Sequence, residues 1–435
     1  MREMKDSGYD WIGKVDTAVN LVPLKYLLAD KKCPIKVGPF GSQLSGPDFL
    51  DDESDYWVYN QRAVIDDNYK TGDAFISKEK YDTMSGFHVK TGDILITTRG
   101  TIGRISRVPQ EHKKGILHPC IIRFRINEDK IHYDLLRLIF NESDFITRQI
   151  NYKSNATTIE VIYSETLKNL ILPMWPMKLQ LIIAKFLCEK CIRVDSLAAD
   201  IQSQIDTLEQ YKRSVITEAV TKGLDPDAEM RDSGVAWIGK VPTHWKCIRG
   251  KYILKYLQKP IRDDDGVITC FRDGEVTLRS NRREDGFTMA DKEIGYQGVD
   301  VGDLVVHGMD GFAGAIGVSD SRGKASPVLN VLGTEQDKRY IMYFLRGMAY
   351  SDVFLALATG IRVRSCDLRW NKLSELFYPV PPLDEQKTIV AYIDDVIQKT
   401  NEVIADKKKQ LETLDAYKKS LIFEYVTGKK EVIMT

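Results

Sequence analysis

The sequence predicts an α+β protein: two mixed, β-rich domains separated by two long antiparallel coiled-coil-like helices, its halves related by a pseudo-twofold internal repeat. Three observations carry this expectation. First, Met4-Lys-Asp-Ser-Gly-Tyr-Asp-Trp-Ile-Gly-Lys-Val15 returns as Met230-Arg-Asp-Ser-Gly-Val-Ala-Trp-Ile-Gly-Lys-Val241, with nine of twelve positions identical. Second, Pro176–Thr221 aligns without a gap on Pro382–Thr427 at an offset of 206, so that Gln180 meets Gln386, Ile183 meets Ile389 and Lys212 meets Lys418. Third, residues 29–170 and 258–376 share only scattered features, such as Gly92-Asp93 against Gly302-Asp303. The plan is a constant frame and a variable insert, twice. A duplicated enzyme would keep its catalytic centre alike in both copies. Here divergence falls where that centre would lie, which suits two inserts with different targets.

Taken along the chain, each element has a local reason. After the first repeat, Leu24-Lys-Tyr-Leu27 appears, and it appears again at Leu254–Leu257. In the first insert, Asp93–Thr97 and Pro119–Ile126 are short β-branched runs bounded by Gly, Asn and Pro, and read as strands. Gly100–Gly103 reads as a turn and Tyr133–Phe140 as a helix. The first frame places Val194, Ile201, Ile205, Leu208 and Val215 on a heptad-like spacing, and Gly223 and Pro226 stop it. The second insert repeats the order: a strand at Gly302–His307, a glycine-rich turn and strand over Gly308–Gly317, and helix over most of Arg339–Leu357. The two inserts are therefore expected to share a fold.

The last frame opens at Pro381-Pro382, as proline can at a first helical turn. Asp384 and Glu385 suit the positive end of the helix dipole. Ile397, Ile404, Leu411, Leu414 and Leu421 form its apolar seam, Thr400 and Lys407 interrupt it, and Gly428 ends it. Two matching apolar stripes each need an apolar partner, which predicts that the two helices pack on one another. About 30 helical residues would span roughly 45 Å, a fixed spacer between the inserts.

The bulk numbers set limits. At 435 residues the chain can hold two or more domains with their own cores. It has 62 basic and 62 acidic residues. Free-standing nucleic-acid binders are usually basic, so the balance counts against a simple one, while it permits a basic face offset by an acidic one and fits a chain whose partners supply phosphate contacts. The sequence contains no run of 18 apolar residues, and a charged Met1–Asp6 start lacks an apolar core, so a cytoplasmic protein without a membrane span is expected. The cysteines, Cys33, Cys120, Cys188, Cys191, Cys247, Cys270 and Cys366, are odd in number and scattered, against a disulfide framework. Cys188 and Cys191 form a CxxC pair, but structural zinc needs four ligands and no second pair exists. They read as apolar helix positions, and no metal site is expected.

These motifs resemble a family. Pro381-Pro-Leu-Asp-Glu-Gln386 with its long helix, Glu218-Ala-Val-Thr-Lys-Gly-Leu-Asp-Pro226 and the repeated Asp-Ser-Gly-x-x-Trp-Ile-Gly are similar to the specificity subunit of type I restriction–modification enzymes, over essentially the whole chain. Within the inserts, Gly38-Pro-Phe-Gly-Ser-Gln43, Gly92–Gly100, Asp273–Arg283 and Gly308-Met-Asp-Gly311 resemble motifs of that family's target recognition domains. One departure stands out. Pro173-Met-Trp-Pro176-Met-Lys-Leu-Gln180 occupies the place of the family's Pro-Pro-Leu-x-Glu-Gln, so the acidic helix start is missing from the first frame.

The resemblance implies a division into target recognition domain 1 (residues 1–175), a central helical spacer (176–228), target recognition domain 2 (229–381) and a C-terminal helical spacer (382–435). It implies that each recognition domain reads half of a split double-stranded DNA target and that the helices set the gap. It further implies that two methyltransferase subunits and restriction subunits dock on the chain, and that S-adenosylmethionine, ATP and Mg2+ belong to those partners, with no cofactor on this chain. The residues agree that chemistry lies elsewhere. There is no Asn/Asp-Pro-Pro-Tyr/Phe motif for adenine methylation and no GxxxxGK[ST] loop for ATP. The six histidines show no metal or triad spacing, and Asp51-Asp-Glu-Ser-Asp55 reads as a solvated loop rather than a nuclease centre.

Base reading in the major groove needs Arg, Lys, Asn, Gln, Ser or Thr. The first insert offers Ser42, Gln43, Asn60, Gln61, Arg62, Thr97, Thr98 and Arg99. The second offers Arg272, Arg279, Asn281, Arg282, Arg283 and His307. The blander reading of the arginine segment is an exposed loop with internal ion pairs. Two alternatives for the whole chain are a scaffold whose inserts bind protein or RNA, which the neutral charge favours, and a stand-alone nuclease or methylase, which the missing motifs disfavour.

Overall fold

A computed structural model describes residues 3–29, 34–153, 161–282, 294–357 and 368–432. The protein is α+β and divides into two compact units, Met1–Ile201 with Lys409–Thr435, and Gln202–Lys408. The two long helices run Met177–Lys222 and Leu383–Val426, and each unit takes one end of both. At 46 and 44 residues they exceed the 30 or so expected, because neither proline nor glycine interrupts either segment. Gly223 (φ +76°) and Gly428 (φ +77°) end them in the left-handed conformation that glycine adopts without a Cβ clash. No helix among the described residues is long and apolar enough to cross a membrane.

Unit 1 begins with the repeated motif as a hairpin, Met4–Asp6 against Lys14–Asp16. Its tip is local turn chemistry: the Asp6 carboxylate accepts from Gly8 N at 2.8 Å and the Ser7 hydroxyl from Tyr9 N at 3.1 Å. Strand Asn20–Pro23 then pairs with Ile171–Met174, which delivers the chain to the central helix. Between them lies an antiparallel sheet in the order Ile35–Val37, Ile121–Phe124, Ile94–Thr97, Ile105–Arg107. Helix Tyr133–Asn141 covers it with Leu135, Leu136, Leu138 and Ile139, all fully buried. A second sheet (Lys114–Leu117, Tyr56–Tyr59, Phe75–Ile76, Phe49–Leu50) carries its own cores around Trp57 and Tyr59, and around Val58 and Ile76.

Unit 2 repeats the frame. Met230–Asp232 pairs with Lys240–Pro242, with Asp232 and Ser233 making the same turn bonds to Gly234 and Val235. Lys246–Arg249 pairs with Phe377–Val380. Its sheet has the order Leu254–Tyr256, Leu329–Thr334, Leu304–His307, Ile316–Val318, again antiparallel, under helix Lys338–Tyr350. The central sheet and its covering helix are thus shared; beyond them the inserts differ, because unit 2 has two separate two-stranded sheets, Ile268–Cys270 with Val276–Leu278 and Gln297–Val299 with Gly323–Ala325, where unit 1 has a second four-stranded one. Leu-Lys-Tyr-Leu corrects the sequence reading, however. Leu24–Leu27 is a 3-10 turn, whereas Leu254–Tyr256 is a strand, and the 3-10 turn of unit 2 is Gly250–Tyr252. Equivalence follows the backbone bonds Leu24 N to Leu170 O and Gly250 N to Leu376 O, so position in the sheet overrode an identical tetrapeptide.

Within each unit the helix ends pair antiparallel. In unit 1 the Phe186 and Tyr425 rings lie 4.8 Å apart, and Lys418 bonds Asp195 at 2.8 Å. In unit 2 Lys212 bonds Asn401 at 2.7 Å, and Lys407, inside the seam, reaches Gln204. Lys212 and Asn401 stand at the repeat positions of Lys418 and Asp195. Seam residues Val194, Ile205, Ile404 and Leu421 are buried and the rest half-buried.

The repeated glutamines tie helix to insert. Gln180 is 1% exposed; its Oε1 accepts from His132 N, and its Nε2 donates to Lys130 O and Trp175 O. Gln386 is 0% exposed; its Oε1 accepts from Asp337 N, and its Nε2 donates to Pro381 O and Gln336 Oε1. His132 and Asp337 are the N-caps of the two insert helices. The departure from the family pattern at residue 179 also has a physical reason. In unit 2 the Trp245 indole covers Gly223 and donates to Glu385 at 3.0 Å. In unit 1 the place of Trp245 belongs to buried Val19, and Trp175 covers Gly428 instead, donating to Val426 O at 2.9 Å. With no indole to satisfy, Leu179 can stand where unit 2 has Glu385.

Candidate nucleic-acid interface

Gly92-Asp93 and Gly302-Asp303 build the same turn. Both glycines have positive φ (+78° and +83°). Asp93 Oδ2 accepts from Lys90 N at 2.7 Å and Asp303 Oδ2 from Asp300 N at 2.9 Å. Both carboxylates are buried, Asp93 against Arg125 and Asp303 against Lys259. They brace the start of the central strand and are not themselves presented to a ligand.

The far end of that strand is where the candidates gather. Thr98 N donates to Cys120 O and Thr98 O accepts from Ile162 N; Gly308 N donates to Val328 O and Gly308 O accepts from Leu368 N. These matched bonds make Thr98 and Gly308 equivalent, and the next residues, Arg99 and Met309, equivalent in turn. Both are exposed, Met309 at 51%. Thr97 and Thr98 are 0% and 4% exposed. The Thr97 hydroxyl holds the Arg104 backbone, and that of Thr98 donates to Cys120 O at 2.9 Å. They are therefore scaffold, which the sequence did not distinguish from their exposed neighbour.

In unit 1, Asn60 caps helix Gln61–Ile65, accepting from Ala63 N and donating to Asp73. Arg62 is exposed and lies between Asp66 (3.4 Å) and Asp73 (3.9 Å). Gln61 is close to the turn, since a Cβ on Gly100 would stand 3.4 Å from its Oε1. Asn60, Gln61, Arg62 and the Arg99 turn thus form one neighbourhood. Ser42 and Gln43 sit exposed on a separate 3-10 turn, Gly41–Gln43, with Gln43 Oε1 accepting from Phe40 N. The acidic run at 51–55 is a mostly exposed loop, and no group of three or more His, Cys, Asp or Glu side chains among the described residues is placed to hold a metal.

In unit 2, hairpin Ile268–Cys270 with Val276–Leu278 presents its loop to the Gly308 turn. Arg272 bonds Asp310 at 3.0 Å, and His307 Nε2 lies 4.0 Å from the same carboxylate. His307 Nδ1 accepts from Met309 N and Asp310 N, at 3.2 and 2.9 Å, so this ring shapes the turn. Burial pushes its pKa below the usual histidine value. Arg282 lies over the Phe271 ring at 4.2 Å and bonds Asp273 (2.7 Å) and Glu275 (2.8 Å); the Asp273 bond raises its already high pKa. Arg279 donates to Thr269 Oγ1, and Asn281 to Thr277 Oγ1. Arg283 lies outside the described residues. The internal ion pairs of the bland reading are present, on the same side chains that could meet phosphate. Met309 was missed as an individual residue; an apolar side chain inside a Gly-x-Asp-Gly turn was its signal.

Residues 45–207 match the family model for the type I restriction modification DNA specificity domain. The type I restriction enzyme MjaVIII specificity subunit of Methanocaldococcus jannaschii is 23% identical over 337 residues, 74% of this chain and 75% of that protein. The type I restriction enzyme EcoBI specificity subunit of Escherichia coli is 24% identical over 355 residues, 74% and 71% of the two chains. A solved chain described under complex assembly and conformational transition of the type I R-M system superposes with a TM-score of 0.63 at 16% identity, covering 96% of this chain and 99% of that one. That last likeness is one of fold. Residues 45–207 thus match a type I restriction modification DNA specificity domain, and the chain as a whole is similar to type I restriction enzyme specificity subunits.

Proposed function

We propose that each recognition domain reads one block of a split double-stranded DNA target, and that the long helices set the gap between blocks. The observation that carries this is chemical difference on an equal scaffold. Two inserts share the order of their central sheet and its turn bonds, yet place unlike side chains at the turn and around it. Equal scaffolds with unequal contact residues suit two unequal DNA blocks. On this reading residues 1–175 and 229–381 are the readers and 176–228 and 382–435 the spacers, with Ser42, Gln43, Asn60, Gln61, Arg62, Arg99, Arg272, Arg279, Asn281, Arg282, Arg283 and His307 available for base or phosphate contact.

The same proposal places two methyltransferase subunits and restriction subunits on the helices, S-adenosylmethionine, ATP and Mg2+ on those partners, and the assembly in the cytoplasm. Repeated apolar exposure supports two like docking sites. Leu197 (54%) and Val403 (45%) are exposed at matching repeat positions, as are Tyr211 (50%) and Tyr417 (50%). Large apolar side chains left in solvent at repeated places suit repeated partners.

A base-modification map of host DNA, with the gene intact and deleted, tests the reading. Loss of one split motif carrying methyladenine on both strands supports it. An unchanged map, with the methyltransferase expressed, sinks it and favours a scaffold that binds protein or RNA.

A further inference from the structure

We infer that Arg99 and Met309 are the paired specificity-determining residues of the two units, Arg99 reading a guanine edge and Met309 packing on a thymine methyl. The inference rests on the DNA-reading proposal and adds to it which side chains discriminate, and for what.

The equivalence is set by backbone bonds and agrees with the shared Gly-Asp that stands seven residues ahead of each. The Gly-Asp turn starts both central strands, with Gly92 N bonding Val108 O, and Gly302 N bonding Ser319 O. Four residues of strand follow in each case. The residue after the strand is then pinned on both sides, Thr98 between Cys120 and Ile162, Gly308 between Val328 and Leu368. A residue immediately after such a clamp has little freedom in where it leaves the sheet. Arg99 and Met309 leave at this point, and both side chains are exposed.

Their surroundings favour a reading role. Of the described arginines chosen from the sequence, Arg62, Arg272 and Arg282 are each held by carboxylates, and Arg279 donates to Thr269. The Arg99 side chain has no partner among the described residues, so it can present its forked guanidinium without first breaking an ion pair. That fork matches guanine O6 and N7 in the major groove. Met309 has no polar atom to offer beyond a weak thioether acceptor. An exposed apolar side chain beside Arg272 and His307 fits the one apolar feature of the major groove, the thymine methyl. The flanking residues differ in step: Gln61 borders the Arg99 turn, whereas Arg272 borders the Met309 turn through Asp310. The turn is thus a common socket with a changed tip.

The test is selection from a randomised duplex library by the full chain with its methyltransferase partner, for wild type, Arg99→Ala, Arg99→Lys and Met309→Arg. Arg99→Ala should erase a guanine preference, on the order of 10- to 100-fold, at one position of one block while the other block is read as before. Arg99→Lys should retain part of it, since lysine also reaches guanine but without the fork. Met309→Arg should convert an A·T preference into a G·C preference at one position of the opposite block. The unaltered block in each variant reports that the chain is folded. Unchanged preferences at every position overturn the inference, and so does uniform weakening without a shift, which marks a phosphate or purely structural contact. A wild-type chain that selects no split sequence removes instead the DNA-reading proposal beneath it.

Discussion

At the scale of single residues, hydrogen-bond satisfaction decides most roles. Gln180 and Gln386 each close three bonds inside the protein. Replacing either by alanine leaves buried backbone groups unpaired, and each variant is expected to lose about 1–3 kcal/mol, read from urea unfolding of the full chain. Charge pairing decides availability. Arg282 can meet phosphate only by leaving Asp273 and Glu275. The double variant Asp273→Asn, Glu275→Gln is expected to bind non-specific duplex about threefold to tenfold more tightly, as weak surface pairing is removed, with a steeper salt dependence. Titrations against salt check it; unchanged affinity would mean that these acids do not restrain Arg282. Thiol reactivity follows burial: desolvation raises Cys191 to about 11 and Cys270 to about 12, so at pH 8 both should resist maleimide until the protein unfolds.

At the scale of elements, turns and helix ends carry the strain. Gly428 has φ +77°, and a Cβ there would lie 2.3 Å from Asp16 Cβ. Gly8 has a similar φ of +74° with nothing within 4 Å. Gly8→Ala should therefore cost only the left-handed penalty, about 1–2 kcal/mol, and Gly428→Ala clearly more, by thermal unfolding of each variant. The 308–310 turn depends on a neutral His307, whose Nδ1 accepts two backbone N–H bonds. Desolvation holds its folded pKa below the unfolded value, with Asp310 opposing and Arg272 adding to the shift. The stability contributed by the neutral ring is complete above about pH 6.5 and is lost as pH falls through the lowered folded value. If unit 2 reads its own block as proposed, base discrimination there should fade first on acidification, and library selection at two pH values measures it. Equal fading in both blocks would count against His307 as the cause.

At the scale of the whole molecule, the proposed function makes the long helices a ruler. One helical turn is about 5.4 Å, and one base-pair step about 3.4 Å. Removing four matched residues from both helices, in step with the repeat, should shorten the gap between methylated blocks by one or two base pairs and leave both blocks unchanged. A modification map of cells carrying the shortened chain would reveal this; an unchanged gap would remove the ruler role. The formal charge of zero fits the same picture. Acids that hold Arg62, Arg272 and Arg282 lower the attraction to arbitrary DNA, and the discrimination proposed for Arg99 and Met309 is then less diluted by non-specific phosphate binding.

Much of this architecture was legible in the chain itself, because repeats and periodicity are linear signals. The 206-residue offset located both long helices, glycine marked their ends, and β-branched runs marked the central strands. Repetition also marked the Asp-Ser-Gly segments as parts of a frame, while their hairpin form came from the structure. Tertiary structure alone separated Thr97 and Thr98 from Arg99. A strand alternates its faces, and only the neighbouring Cys120 carbonyl and the Arg104 backbone show which hydroxyls are already spent. It also split identical Leu-Lys-Tyr-Leu segments into a turn and a strand, through different sheet partners. It exchanged Trp175 for Trp245 over the helix-ending glycines. Those outcomes depend on which distant atoms fill the same space, and no local pattern encodes that. The paired positions of Arg99 and Met309 fall between the two classes: the shared Gly-Asp seven residues ahead of each is legible in the sequence, whereas the backbone bonds that fix where each residue leaves the sheet are not.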